Sequence, residues 1–265
     1  MFRANLVATV LRRRRNLIFI YFLALTLFMY LIAATFPTVN QAGAEFMEAL
    51  PPSIKNLVGD ANLPFASLPG YLGLGLSHPL ILVLFSAFII SSATQAVAGE
   101  IDRRTADLIL SRPISRAYVL ASHLLVTLAG LFLLALATWL GVVLGVFLGH
   151  IEPDLGRTAL ASLGLFALFF AVTGYSYAIS ALTSDAARSN GLAAGLTALF
   201  FFMHFIGNLW DRAEFLLPFT IFNYYTPGAT LEGFVSPAEN MVLLFTVGLI
   251  LVAASFTFLD RRDIN

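Results

Sequence analysis

The chain has 265 residues, 59% of them hydrophobic and only 11% charged, with a formal net charge of zero and a mean hydropathy of +0.87. A soluble globular domain carries about 25% charged residues, so a chain this apolar needs lipid around it. Cysteine is absent, which excludes disulfides, thiol redox chemistry and cysteine metal sites.

Residues 1–16 place Phe2, Leu6, Val7, Val10 and Leu11 within half a helical wheel, together with Arg3, and Arg12 to Arg15 follow. Two readings stand. One is an interfacial helix along the inner leaflet, its arginines near anionic headgroups. The other is a basic stop that orients the first span. The apolar stretch after it is too long for a signal-peptide core and no small-residue cleavage site follows, so the first span is expected to be retained.

Six uncharged apolar stretches run along the chain, over 17–36, 76–98, 117–149, 158–182, 189–210 and 240–259. Crossing ~30 Å of hydrocarbon takes ~20 apolar residues as a helix. A spanning segment must satisfy its own backbone hydrogen bonds, and a membrane barrel would alternate polar and apolar residues. An all-α membrane protein with six transmembrane helices is therefore predicted, as a single domain over 1–265.

The segment between the first and second spans begins charged, with Glu45, Glu48, Lys55 and Asp60. It then becomes apolar but is broken by Pro64, Pro69, Gly70, Gly73, Gly75 and Pro79, which predicts a loop or short helix at the outer interface. The third stretch exceeds the core thickness, so its first turns, with Tyr118 and His123, are expected to protrude. Gly141, Gly145 and Gly149 form a small-xxx-small ridge that permits close helix packing, although glycine is common in membrane helices anyway. Between the fifth and sixth stretches, 211–239 is apolar and aromatic yet interrupted by Pro218, Pro227, Gly228 and Gly233. It predicts a re-entrant or interfacial helical hairpin, with Trp210, Tyr224 and Tyr225 at headgroup level.

The charge distribution fixes an orientation. With the N-terminus inside, the inner segments carry Arg3, Arg12 to Arg15, Arg103, Arg104, Arg112, Arg116, Arg188, Arg261 and Arg262, and the outer ones only Lys55, Arg157 and Arg212. That asymmetry obeys the positive-inside rule and predicts both termini in the cytoplasm, in a cytoplasmic membrane.

The most informative segment lies between the second and third spans. On a helix starting at Glu100, Ile101, Thr105, Leu108 and Ile109 share one face, and Glu100, Arg103, Arg104, Asp107 and Ser111 the other. Glu100–Arg104 and Arg103–Asp107 are i,i+4 ion pairs, each stabilising by ~0.2–0.5 kcal/mol, and Pro113 stops the helix. A short amphipathic helix with its charged face outward is predicted, against the plainer reading of a solvated loop helix.

Gly99, Glu100, Thr105, Leu108, Leu110, Ser111, Pro113, Ser115 and Arg116 match the signature of ABC-2 type transporter permeases. Asp102 stands where that family often has Glu, Arg104 where Gly is frequent and Ala106 where Leu is frequent. The chain resembles the single-domain, six-span members similar to the copper-maturation and gliding-type permeases. The resemblance implies that 99–116 is a coupling helix seated in a separate ATP-binding subunit, with contacts from Gly99, Glu100, Asp102, Arg103, Arg104, Thr105, Asp107, Leu108, Leu110, Arg112, Pro113, Ser115 and Arg116. It implies two permeases (a homodimer or a pair of paralogues), two ATPase subunits holding ATP and Mg²⁺, and an export route lined mainly by the first, second and fifth spans.

Polar residues within spans carry two readings each. Thr26, Tyr30, Ser91, Thr94, Gln95, His204 and Asn208 could line a route or serve as hydrogen-bond glue between helices. A metal at His204 is not expected, because no second ligand sits at the needed spacing. All fifteen acidic residues fall outside the spans, which disfavours an ion-coupled carrier. No zinc-protease, nucleophile-elbow or P-loop motif is present, so no catalytic residue, bound cofactor or nucleic-acid partner is expected of this chain. A stand-alone channel or carrier, and a non-transporting scaffold or lipid- or polysaccharide-handling enzyme, remain the alternatives.

Overall fold

A computed structural model describes residues 2–49, 67–99, 115–149 and 154–261. Among these, six helices are long and apolar enough to cross a membrane, and no strand occurs. The chain is thus an all-helical, multi-pass membrane protein.

Helix α1 (Phe2–Ala49) is 48 residues long. The interfacial helix expected over 1–16 is no separate element, because its described residues run without a break into the first span. The reason is local: between Arg12 and Leu17 the chain has only arginines and one asparagine, and arginine is a strong helix former. Pro37 lies inside the helix, where it has no N–H to bond the carbonyl one turn back. Thr35 Oγ1 donates to the carbonyls of Leu31 at 2.8 Å and Ile32 at 3.0 Å in that turn.

The second span is built from two pieces, α2 (Leu68–Leu76) and α3 (Pro79–Ala96). Ser67 caps α2 by accepting from the Gly70 N–H at 3.1 Å, and His78 caps α3 by accepting from the Leu80 N–H through Nδ1 at 3.1 Å. The break falls at Ser77–His78 because Pro79 cannot continue a helix but suits the first position of one. The expected short helix after the charged part of the outer segment is therefore α2. It is not merely resting on an interface: Leu72 and Leu76 are fully buried.

The remaining spans are α4 (Arg116–Leu148), α5 (Leu155–Leu182), α6 (Ala186–Leu209) and, after a connection, α8 (Ala238–Asp260). Ser115, Asp154 and Asp185 cap α4, α5 and α6, each accepting from the backbone N–H three residues on. Two parallel pairs, α1 with α4 and α5 with α8, make the most extensive helix contacts, and α3 packs between α4, α5 and α6. Glycines set both pairs. A Cβ on Gly141 would overlap the Thr26 carbonyl oxygen, and one on Gly145 would lie 2.5 Å from Ala33 Cβ. In the second pair, a Cβ on Gly174 would lie 2.7 Å from the Gly248 carbonyl oxygen. In lipid the hydrophobic effect does not drive helices together, so such close backbone approach is what holds them.

The connection before α8 is not the expected helical hairpin. It consists of 3-10 turns over Asp211–Phe219 and Ile221–Tyr224, followed by the short helix α7 (Pro227–Glu232). Pro218 and Pro227 interrupt any longer helix. Gly233, with φ of +80°, ends α7 in the left-handed region, and Arg157 Nη1 donates to the carbonyl of Glu232 at 3.0 Å. One of the few basic residues at this end thus anchors the connection to the start of α5. At the opposite end of the spans, α1 carries Arg12 to Arg15, α4 begins at Arg116, α6 has Arg188 in its first turn, and α8 is capped by Arg261. This is the basic end of the protein.

Candidate functional site

Three spans each present one stripe to a shared groove of about 890 Å³. Helix α1 contributes Arg14, Leu17 and Tyr21. Helix α3 contributes residues from Pro79 through Val83, Ala87 and Ile90 to Gln95, and α6 contributes Asn190, Gly191, Ala194, Thr197, Ala198 and Phe201. Steps of three and four residues keep each stripe on one helix face. Along α3 the groove extends about 24 Å, at 1.5 Å per residue. Small residues on α6 leave its width, and Phe222 from the second 3-10 turn closes the end away from the basic end. Thr220 Oγ1 holds that turn by donating to the Phe200 carbonyl at 2.7 Å.

The groove is apolar along most of its length and polar at the basic end. There Arg14 Nη2 donates to the Ser91 carbonyl at 3.0 Å, tying α1 to α3. One turn further, Thr94 Oγ1 donates to Asn190 Oδ1 at 2.8 Å and Ser189 Oγ at 3.3 Å, tying α3 to α6. Ser180 Oγ accepts from the Ala98 N–H at 3.3 Å and donates to the Thr94 carbonyl at 3.4 Å, tying α3 to α5. This clasp joins four spans at one level. No Asp or Glu occurs among the described residues lining the groove.

A family model described as ABC-2 family transporter protein matches residues 9–264. The chain belongs to the ABC-2 transporter family. No curated protein matches it. As an ABC-2 protein it is the permease component of an ABC transporter and is not itself catalytic, and membership implies association with an ATP-binding subunit.

Of the permease residues singled out in the sequence, Ser91 and Gln95 line the groove. Thr94 is buried just behind it, in the clasp. Thr26 instead faces α4, donating to the Ala137 carbonyl at 3.3 Å, and the Tyr30 backbone lies beneath Gly141 and Gly145. His204 and Asn208 stand near the end of α6 away from the basic end and bond each other, with Asn208 Nδ2 at 3.2 Å from His204 Nδ1 and 2.8 Å from its carbonyl. Neither lines the groove.

Of the segment expected to couple to an ATPase, Glu100, Asp102, Arg103, Arg104, Thr105, Asp107, Leu108, Leu110, Arg112 and Pro113 lie outside the described residues. Its two ends are described. Gly99 is buried, and a Cβ there would lie 3.3 Å from the Thr94 carbonyl oxygen. Ser115 Oγ accepts from the Tyr118 N–H at 3.3 Å as the cap of α4, which begins at Arg116. The segment therefore leaves α3 at the clasp and enters α4 through a capped turn.

Arg14, Ser180, Ser189 and Asn190 are not legible in the sequence as site residues. Their only signal is an Asn and an Arg at the inner ends of two apolar stretches. Without the helix faces of three spans in register, nothing distinguishes them from ordinary boundary residues.

Proposed function

We propose that this permease is half of the membrane part of an ATP-driven exporter, and that the groove between α1, α3 and α6 is its half of the translocation route. The observation that carries the reading is that this groove lies on the first, second and fifth spans. The polar clasp at its basic end adjoins the Gly99 end of segment 99–116. The positive-inside asymmetry supports a cytoplasmic position for that end, in a cytoplasmic membrane, where a separate ATPase would hold ATP and Mg²⁺.

In this reading two ATP-binding subunits close on ATP, and segment 99–116 passes the motion to α3 and α4. The Thr94–Asn190 and Arg14–Ser91 bonds then shear, and the groove opens or closes at its inner end. Interhelical hydrogen bonds in membranes are worth about 0.6 kcal/mol on average, weak enough to break in each cycle. A second permease, identical or paralogous, seats against α6, where a Cβ on Gly191 or Gly195 would meet nothing within 4 Å. Apolar walls with a polar inner end suit an amphipathic cargo, and export is the direction implied by the ABC-2 resemblance.

The absence of native cysteine makes single-cysteine labelling a clean test. In the complex with its ATPase, Ala87→Cys and Ala194→Cys are expected to react with a water-soluble maleimide several-fold faster than Leu249→Cys, which is exposed on α8. Trapping the ATPase with a non-hydrolysable nucleotide should change the two groove rates and leave the third alone. Groove positions as inert as Leu249→Cys, with and without nucleotide, would contradict the route.

A further inference from the structure

A second groove, of about 430 Å³, lies between α1 and α4 near the basic end, away from the first. Its lining includes Arg12, Arg15, Ile18, Phe19, Phe22 and Leu133. The α1 residues recur at steps of three and four, so they form one face of a single helix, with the two guanidinium groups at one end and the apolar residues following. Arg13, at the same depth, is not in the lining. From Arg12 to Phe22 the helix rises about 15 Å, half of the ~30 Å hydrocarbon core and so one leaflet. Phe19 is 65% exposed and Leu133 37%, so the walls are open to the membrane, while Ile18 forms a buried floor. The groove lies between two helices that meet backbone to backbone further along, at Gly141 and Gly145.

We infer that this groove holds one anionic phospholipid of the inner leaflet, its phosphate between Arg12 and Arg15 and an acyl chain along Ile18, Phe19, Phe22 and Leu133. Charge selects the occupant. Two arginines stand at the mouth, the lining contains no acidic residue, and neither arginine forms an ion pair among the described residues. A zwitterionic lipid would bring its own cation against them. The apolar half explains why a lipid rather than a free phosphate is held, since phosphate alone would leave that wall unfilled. The lipid would bridge the first and third spans at their open end, opposite the glycine contact.

Native mass spectrometry of the full chain in mild detergent tests this, with phosphatidylglycerol and phosphatidylcholine of the same acyl chains as probes. Wild type is expected to retain the anionic lipid roughly tenfold or more above the zwitterionic one, as two basic groups near an anionic headgroup allow. Arg12→Gln/Arg15→Gln should abolish the preference, and Arg13→Gln should keep it. Leu133→Trp, which fills the groove with every arginine in place, should also lower retention. Equal binding of the two lipids by wild type, equal loss in Arg13→Gln and in the double variant, or full retention in Leu133→Trp would each overturn the site. Retention of inorganic phosphate in place of lipid would do the same.

Discussion

Gly141→Leu is expected to separate α1 from α4 and to leave little folded permease. A Cβ alone at this position would overlap the Thr26 carbonyl oxygen and lie 2.7 Å from Met29 Cβ and 3.0 Å from the Tyr30 backbone nitrogen. Two of these three atoms are backbone, so no rotamer change can make room. Gly145, one turn on, meets the Tyr30 carbonyl oxygen at 2.7 Å in the same way, so α1 is held across two turns. The Thr26 hydroxyl bond to Ala137 belongs to the same seam and would lengthen with it. Overpacking typically costs about 1–3 kcal/mol, and displacing backbone puts this change at roughly 3 kcal/mol or beyond. Thermal unfolding in detergent should show a much lower midpoint and a lower yield. Gly195→Leu is the matched control: nothing lies within 4 Å of a Cβ there, and leucine is the better helix former. Its midpoint, measured on the monomeric permease in detergent, should not fall. Equal midpoints for Gly141→Leu and wild type would refute close packing of this pair.

The spans are legible in the sequence because lipid imposes length and hydropathy directly, and the ridge of Gly141 and Gly145 is visible as small residues at a four-residue step, although only the structure separates it from the ordinary glycine of membrane helices. The division of the second span is visible in Pro79, whose ring and missing N–H act locally. Other features are not. Arg12 to Asn16 looks like a boundary because it is charged, but charge does not break a helix, and α1 passes through it. The proline and glycine breakers in 211–239 announce an interrupted segment, yet they do not specify successive 3-10 turns over a hairpin. The site is half legible for a related reason. A threonine that lines a route and one that bonds a neighbouring helix have the same sequence signature. Thr26 and Thr94 bond neighbouring helices, whereas Ser91 and Gln95 face the groove. Only the register between α1, α3 and α6 separates these cases.

The second large effect is expected from the segment that joins α3 to α4. Arg103→Glu/Asp107→Arg/Leu110→Asp reverses two charges that we place at the ATPase contact and replaces an apolar contact residue beside them with a carboxylate. Like charges juxtaposed across an interface cost several kcal/mol, which at about 1.4 kcal/mol per tenfold is enough to take a tight complex to no detectable binding. The permease itself should stay folded, because the three positions lie between the spans and outside both glycine seams. Its unfolding midpoint should match wild type, which separates this variant from Gly141→Leu.

The most direct measurement is therefore co-purification of the tagged permease from native membranes in mild detergent, wild type beside this triple variant, with ATP hydrolysis assayed on both. Wild type is expected to bring down an ATP-binding subunit with ATPase activity, and the variant, equally folded, to lose both. Wild type that purifies alone from membranes where an ATP-binding partner is expressed, or a variant that retains partner and activity, would overturn the exporter assignment.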